Sequence, residues 1–567
     1  FLNKLVGIGM SNDIVNSKYF FYLLRFQVFI SGASVMGLEL LGSRLMSPYF
    51  GNTLFVWGSL IGITLTGLSA GYSYGGKKSD QKASYQTFSL LIFIAGSYSL
   101  LSTLLSAEIF KIILLFKVGE IFGPLISSIA LLLVPTFLLG AVTPFAIKLS
   151  AKSIKTIGQT AGNLYSLSTV GSIFGTFATT FILVPLIGVD IILYSISTIL
   201  IISAIVGLSK QTKTVAIILI CISLYSAVFV QAPLAGVVFE KDTQYHRLLV
   251  HDDSVTNIRT LILDNNFHSA MDLQNRDRIV YEYTKYFHLG VLFTNDPQNV
   301  LFIGGGGFSA PKKFFADYPG VKIDVVEIDK EVVSAGKEFF FVPDDERLDI
   351  TTDDGRIFLR KTDKKYDIIV LDAYDKTYVP FHLMTKEFHQ LAANHLTEDG
   401  VIISNIITSL EGDSATLFLS ELKTMDSVYK NIHIYPVVSE QNRIIQNIIV
   451  VAQNKQDRTT KFELMSRQDN VQVDLSEEIM KEYEKEIELN SYKILEDNFA
   501  PVENYLNPLT GKQYVKRIIL EDGIASEISN DGQDWNPELT VNQLLFVSIA
   551  AVVLVYSIYS YSNTEKN

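Results

Sequence analysis

The sequence has almost none of the residues that usually build metal centres. Its 567 residues include one cysteine, Cys221, and eight histidines. A single thiol excludes disulfides within the chain and cysteine-based metal sites. The histidines are scattered, without the i,i+4 pair that a helical zinc site needs. We therefore expect no metal cofactor.

Phosphate-binding motifs are also missing. The sequence has no GxxxxGK[ST] signature, and the glycine run at 304–307 is not a full GxGxxG because Ser309 occupies the third glycine position. The net charge of -12 argues against nucleic acid, whose phosphates select surfaces rich in lysine and arginine. An acidic surface suits a cationic substrate, although acidity more often serves solubility alone.

Charged residues are scarce before residue 232. A membrane-spanning helix needs about 20 mostly apolar residues. The segments that meet this condition are Tyr19–Leu41, Leu54–Tyr74, Phe88–Ser106, Ile121–Ile147, Leu164–Gly188, Ile191–Leu208, Val215–Val230 and, near the C-terminus, Val541–Tyr561. We predict an N-terminal segment at 1–18, a membrane domain at 19–232 with about seven spans, and a last span at 541–561. The lipid bilayer is thus an expected partner.

Lysines cluster in alternate loops of this membrane domain, for example Lys77 and Lys78 after the second span and Lys148 and Lys152 after the fourth. The positive-inside rule assigns these loops to the cytoplasm. Seven spans would then place the following polar domain outside the cytoplasm, and one miscounted span would reverse that. We predict an integral protein of the cell membrane and leave open on which side its soluble domain lies.

The polar part of the chain divides into three predicted segments: a small β unit at 240–296, a domain at 297–455 and a C-terminal extension at 456–537. In the middle segment, apolar strands alternate with helical patterns. The predicted strands are Asn299–Ile303, Lys322–Glu327, Asp349–Thr352, Asp367–Asp372 and Val401–Asn405; the predicted helices are Pro311–Tyr318 (capped by Ser309), Lys330–Phe340 and Met384–His395. This alternation predicts parallel βαβ units in an α/β Rossmann-like domain.

Glycines and carboxylates follow the ends of four consecutive predicted strands. They are Gly304, Gly305 and Gly306 after the first strand, Glu327 at the end of the second, Asp354 and Gly355 after the third, and Asp372 with Asp375 after the fourth. Ligands bind beyond the carboxyl ends of such strands, where an acidic side chain accepts from ribose hydroxyls. Asp354 could accept from an adenine amino group. Each signal alone also fits a turn or a helix cap, but together they predict a nucleoside site.

At these residues the sequence resembles the spermidine synthases, or polyamine aminopropyltransferases. The matching stretches are Ile303-Gly-Gly-Gly, Val326-Glu-Ile-Asp, Asp354-Gly-Arg-Ile-Phe, Tyr366 to Asp375, and His382-Leu-Met-Thr-Lys-Glu-Phe. Membrane-fused spermidine synthase-like proteins are more similar still. Their likeness extends to the apolar part at 39–44, 135–144 and 162–171, and to a C-terminal stretch at 497–503.

The resemblance implies a fold like that of S-adenosylmethionine-dependent methyltransferases and a transfer of an aminopropyl group to a small cationic amine, a diamine or polyamine. The co-substrate would be decarboxylated S-adenosylmethionine or S-adenosylmethionine itself. Asp372 would be the catalytic base, and Asp375 and Tyr281 would bind the amine. An amine with a pKa near 10 is mostly protonated at neutral pH, so a carboxylate can both bind the cation and take its proton.

Three positions depart from the family pattern. Gly307 replaces an aspartate that holds the transferred arm, His246 stands where a glutamine is expected, and Glu282 where a histidine or glutamine binds the polyamine. Two alternatives therefore stay open: another S-adenosyl-dependent transferase, and a binding, transport or assembly protein that kept the fold without catalysis. A homo-oligomer is also left open.

Overall fold

The structure is a computed structural model. It describes residues 18–51, 53–116, 119–151, 153–229, 236–264, 266–294, 296–374, 379–438, 443–506, 509, 514–519 and 525–529. The chain divides into two compact units whose boundary falls between Leu234 and Ala235. Each unit is described by itself.

The first unit is helical. Its helices are α1 Lys18–Phe50, α2 Leu54–Gln81, α3 Tyr85–Leu104, α4 Ser106–Leu115, α5 Gly119–Ser128, α6 Val134–Ser150, α7 Ile157–Phe177, α8 Val184–Leu186, α9 Val189–Ala204 and α10 Lys210–Phe229. Within the described residues, six helices are long and apolar enough to cross a membrane: Tyr19–Phe50, Leu54–Gln81, Tyr85–Leu104, Ile121–Ser150, Ile154–Leu183 and Val189–Gly207. Each of them overlaps one of the first six predicted spans, with different bounds.

The total of seven spans stays a prediction. The seventh predicted span falls on α10, a helix of 20 residues that is not among these six. The predicted C-terminal span at 541–561 and the N-terminal residues 1–17 lie outside the described residues.

Helices in this unit approach one another at glycines. A methyl group added at Gly71 of α2 would lie 2.2 Å from the Phe137 carbonyl oxygen of α6, and one at Gly171 of α7 would lie 2.2 Å from the Phe29 carbonyl oxygen of α1. Such backbone contact is how helices associate where water cannot drive apolar packing. The glycines therefore set the spacing of both helix pairs.

The second unit contains two larger sheets and their connecting helices. The strands are β1 Val237–Asp242, β2 Arg247–Asp253, β3 Ile258–Leu263, β4 Asn266–Asp272, β5 Asn299–Ile303, β6 Lys322–Glu327, β7 Leu348–Thr352, β8 Tyr366–Leu371, β9 Leu396–Thr408, β10 Asn431–Pro436, β11 Gln446–Gln453, β12 Val515–Ile519 and β13 Ala525–Ser529. The helices are α11 Leu289–Phe293, α12 Ser309–Asp317, α13 Lys330–Phe339, α14 Gly355–Lys361, α15 Lys386–His395, α16 Thr416–Asp426, α17 Lys461–Ser466, α18 Ser476–Met480 and α19 Val502–Leu506.

Strands β1 to β4 form an antiparallel sheet in chain order, and a seven-stranded sheet follows with the order β10-β11-β9-β8-β5-β6-β7. Strands β5 to β9 of that sheet pair in parallel. The central strands β5 and β8 are short apolar runs that are buried on both faces, which is typical of a parallel sheet covered by helices. The predicted fold class, an apolar helical part followed by a small β unit and a Rossmann-like domain, is confirmed.

Two details differ from the predictions. The antiparallel pair β10–β11 extends the sheet beyond the predicted strands; β11 is buried along its whole length, so no polar alternation marks it. The cap assigned to Ser309 is wrong. Phe308 precedes α12 in a left-handed conformation (φ 59°), and the Ser309 hydroxyl donates instead to the Ala270 carbonyl oxygen of β4, at 2.8 Å.

The C-terminal extension ends in the antiparallel pair β12–β13. The amide of Ile519 donates to the Val280 carbonyl oxygen at 2.8 Å, and the amide of Val515 donates to the Ile445 carbonyl oxygen at 2.9 Å. Strand β12 is thereby attached at one end to the segment that follows the small β sheet, next to Tyr281, and at the other end to the Rossmann-like domain.

Candidate active site

The glycine loop after β5 is closed by the carboxylate of Glu327, which ends β6. One oxygen of Glu327 accepts from the amides of Gly305 (2.9 Å) and Gly306 (3.2 Å), and the other accepts from the amide of Asp329 at 3.0 Å. A carboxylate has about four acceptor positions, so about one is left for a ligand. Glu327 thus supports the loop as well as facing the predicted ribose site.

Gly304 brings the glycine loop against the end of β8. Its backbone has φ 97°, a region that favours glycine, and a methyl group there would lie 2.3 Å from the Asp372 carbonyl oxygen. The first and fourth predicted strand ends are therefore in backbone contact. Gly355 similarly packs α14 against Ile303 of β5.

Asp354 both caps α14 and contacts a histidine. One carboxylate oxygen accepts from the amides of Arg356 and Ile357, at 3.0 and 2.9 Å, and the other lies 2.8 Å from His382 Nε2. The hydrogen bond from His382 lowers the pKa of Asp354, so this carboxyl group is ionised at neutral pH. Asp354 serves as a cap and still presents an oxygen beside the predicted adenine site.

The Asp-Gly-Arg motif is tied to the C-terminal stretch that also carried the resemblance. Arg356 is buried and donates to both carboxylate oxygens of Asp497, at 2.7 and 2.6 Å, while the Thr385 hydroxyl donates to Asp497 at 2.8 Å. This paired contact holds the start of α14 and the start of α15 in place.

Asp372 follows β8, and its carboxylate lies between the side-chain amide of Asn405 and the hydroxyl of Tyr283. Asn405 Nδ2 donates to one carboxylate oxygen at 2.8 Å, and the Tyr283 hydroxyl lies 3.3 Å from the other. Burial raises the pKa of Asp372, and the hydrogen bond from Asn405 and the charge of Lys516 offset part of that rise. A carboxylate with a raised pKa is a stronger proton acceptor, which suits the predicted general base.

A buried chain of polar side chains continues from Asp372 into the C-terminal extension. Asn447 Nδ2 donates to Asn405 Oδ1 at 2.8 Å, and the Tyr514 hydroxyl donates to Asn447 Oδ1 at 2.6 Å. All three side chains are buried. Their hydrogen bonds fix the orientation of the Asn405 amide, which in turn aims its N–H groups at Asp372.

Tyr281, Tyr283 and Tyr514 surround the ammonium group of Lys516, and we call these three rings the tyrosine cage. Lys516 Nζ lies 4.0 Å from the centre of the Tyr281 ring, 5.6 Å from that of Tyr283 and 5.9 Å from that of Tyr514. It donates to the Phe267 carbonyl oxygen at 2.7 Å. These distances are those of cation–π contacts.

Of the three other residues predicted to bind substrate, two pair with protein side chains and one lies outside the described residues. Glu282 is buried and pairs with two cations of the C-terminal part, Lys481 at 3.3 Å and Arg517 at 3.7 Å. His246 Nδ1 lies 2.7 Å from a carboxylate oxygen of Asp264 within the small β unit. Asp375 lies outside the described residues. The substrate-binding roles of all three stay predictions.

The backbone at Gly307 leaves no room for the aspartate expected there. A methyl group at this position would lie 2.7 Å from Cβ of Ser269 and 3.1 Å from the Phe340 ring. The Gly307 amide donates to the Ser269 hydroxyl at 2.9 Å. The loop is therefore packed for glycine, and the small β unit supplies the residue that fills the space.

Sequence reasoning missed several residues of this site: Tyr245, Tyr283, His382, Asn405, Asn447, Tyr514 and Lys516. Burial raises the pKa of Tyr245, and the carboxylates of Asp329, Asp354 and Glu327 raise it further, which places its ring with the predicted nucleoside residues. Asn405 ends the predicted strand Val401–Asn405, which follows the strand of Asp372 in the chain. Neighbouring parallel strands end at the same edge of a sheet, and this was a usable signal for Asn405. Nothing in the sequence pattern marks Lys516.

Comparison with known proteins gives an independent assignment of the second unit. Residues 282–461 match the family model of the spermine/spermidine synthase domain. The polyamine aminopropyltransferase of Vibrio vulnificus is 31% identical over 183 residues, which are 32% of this chain and 60% of that protein. That of Methanocaldococcus jannaschii is 30% identical over 151 residues, 26% of this chain and 49% of that protein. The chain thus spans about half to three-fifths of these relatives.

Two of the solved structures that align with this chain are described as spermidine synthases, one of them as a probable one. A probable spermidine synthase from Corynebacterium glutamicum aligns over 48% of this chain and 99% of its own, with 19% identity and a TM-score of 0.38. A spermidine synthase in complex with the transition-state analogue AdoDATO aligns over 48% of this chain and 87% of its own, with 18% identity and a TM-score of 0.32. Residues 282–461 therefore match a spermine/spermidine synthase domain, on a chain whose described residues include six long apolar helices.

Proposed function

We propose that this protein transfers an aminopropyl group from decarboxylated S-adenosylmethionine to a small amine and is anchored in a lipid bilayer by its apolar helices. One observation carries the proposal. Asp372, the expected base, has a raised pKa and lies where β8 meets the glycine loop, so a proton acceptor adjoins the predicted nucleoside site.

The residues present suit an S-adenosyl nucleoside. Glu327 has about one acceptor position left for a ribose hydroxyl. The oxygen of Asp354 that contacts His382 can also accept from an adenine amino group. The ring of Tyr245 stands near both carboxylates. The nucleoside would therefore lie along the ends of β5, β6 and β7, with its sulfonium directed toward Asp372.

In the transfer, the lone pair of the neutral amine forms a bond to the propyl carbon next to sulfur. The carbon–sulfur bond breaks, its electron pair stays on sulfur, and methylthioadenosine is the leaving group. The new ammonium loses its proton to Asp372. Asn405 and Tyr283 hold the Asp372 carboxylate in one orientation, which preserves the geometry of that proton transfer.

The test is turnover by the full chain in detergent, with decarboxylated S-adenosylmethionine and a panel of monoamines and diamines, read by mass spectrometry. Asp372→Asn keeps the shape but removes the proton acceptor, so we expect the rate to fall about 10²–10⁴-fold while methylthioadenosine binding is unchanged. Asp349→Asn, at an exposed position of β7, is the matched control and should retain full rate. Equal rates for wild type and Asp372→Asn would remove Asp372 as the base.

A second function has one observation in its favour. The packing of Ser269 and Phe340 against Gly307 leaves no side chain at the place where the family aspartate holds the transferred arm. Another S-adenosyl-dependent transfer, such as methyl transfer to the amine, tolerates that loss. Running the same assay with S-adenosylmethionine distinguishes the two, because methylated and aminopropylated products differ in mass.

A further inference from the structure

The amine half of the site already contains a cation. Lys516 is 6% exposed, and its ammonium group lies inside the tyrosine cage. Tyr283, one of the cage rings, also adjoins the expected base, since its hydroxyl lies 3.3 Å from a carboxylate oxygen of Asp372. The charge of Lys516 accordingly lowers the pKa of Asp372. Aromatic rings with a neighbouring carboxylate are the surroundings that a substrate ammonium would require.

Lys516 is held firmly in this position. Its strand, β12, is attached at both ends through the amides of Val515 and Ile519. The neighbouring Tyr514 donates a hydrogen bond to Asn447, and the neighbouring Arg517 forms an ion pair with Glu282. The ammonium is thus a fixed part of the pocket, and an incoming amine meets it there.

Two rings of the tyrosine cage, Tyr281 and Tyr283, line a small cavity that is also lined by Gly304, Gly305 and Asp372. An acceptor amine bound at Asp372 would therefore have its other end close to the tyrosine cage, where the Lys516 ammonium would repel a second positive charge.

We propose that Lys516 determines the acceptor class of this site: its ammonium fills the place that one cationic end of a diamine would take, and the acceptor is an amine without a second positive charge. This inference rests on the proposed amine site and narrows its substrate. The same fixed charge disfavours protonation of a bound amine, which helps to keep the acceptor in the neutral form that attacks carbon.

The experiment is calorimetry on the full chain saturated with methylthioadenosine. The probes are n-butylamine and 1,4-diaminobutane, which have the same four-carbon chain and differ by the second amino group. We expect wild type to bind n-butylamine at least about 10-fold more tightly than 1,4-diaminobutane, since two charges a few ångströms apart in a half-buried site interact by more than a factor of ten in affinity. Lys516→Gln should lower that ratio at least about 10-fold, and Lys516→Arg, which keeps the charge, should preserve it.

Lys364→Gln is the control, because it removes a cation from the opposite ends of the parallel strands, where Lys364 pairs with Asp324. It should leave the ratio unchanged. Methylthioadenosine affinity and melting temperature establish that each variant is folded. Tighter binding of 1,4-diaminobutane than of n-butylamine by wild type would overturn the inference, as would an unchanged ratio in folded Lys516→Gln. The ratio of the two amine affinities is measured without turnover. If aminopropyl transfer fails while this ratio is as expected, only the proposed function is rejected.

Discussion

The two halves of the candidate site are built in different ways. The nucleoside half uses a glycine loop, Glu327 and Asp354, which follow three strands that are neighbours in the sheet. The amine half joins residues from distant parts of the chain; Lys516 and the Phe267 carbonyl that it contacts are 249 residues apart. The first half is a product of βαβ topology, whereas the second depends on how an extension packs against the domain. Changes in one half should therefore leave the other intact.

Among three variants of the site, Glu327→Ala should have the largest effect. This effect should be confined to the nucleoside half. It removes the charged acceptor proposed for one ribose hydroxyl and the acceptor of three backbone amides. We expect methylthioadenosine affinity to weaken by about 2–4 kcal/mol, or about 30-fold to 1,000-fold. Calorimetry measures this, with Glu331→Ala, which loses a surface pair with Lys241, as the control. A change of less than threefold would show that Glu327 acts only on the loop.

Gly307→Asp tests whether the glycine at position 307 is required for the stability of the fold or only for the reaction. The new side chain would overlap Ser269 and Phe340, so we expect the free energy of unfolding to fall by about 1–3 kcal/mol. Thermal unfolding measures it. Gly320→Asp, where a methyl group meets nothing within 4 Å, is the matched control and should change stability far less. Wild-type stability in Gly307→Asp would mean that the loop rearranges freely.

Asn405→Ala should have the smallest effect and should fall on the amine half. Asp372 must be ionised to accept a proton, so the rate falls as pH drops below its pKa. Removing the Asn405 hydrogen bond, which favours the ionised form, raises that pKa further. The acidic limb of kcat/KM should move to higher pH. A limb that moves to lower pH, or not at all, would contradict the role assigned to Asn405.

The order of the βα units, and the glycines and carboxylates at their strand ends, could be predicted from the sequence because apolar runs, glycines and acidic strand ends are local signals. The binding of a nucleoside there stays a prediction. Strand β5 begins and ends at its predicted residues. The partners in the amine half could not be predicted in the same way. Lys516 lies in a polar extension where a lysine normally stays in water, and its burial follows from the pairing of β12 with the domain. Glu282 was assigned to substrate, yet two cations from the C-terminal part neutralise it.

The Arg356–Asp497 pair has a practical consequence for work on a truncated protein. The family match ends at residue 461, but a fragment cut there would lose Asp497 and leave a buried guanidinium without its carboxylate. It would also lose Tyr514, the donor to Asn447. Such a fragment would have two polar side chains that have each lost a hydrogen-bond partner near the candidate site, so inactivity of the fragment would say nothing about the intact chain.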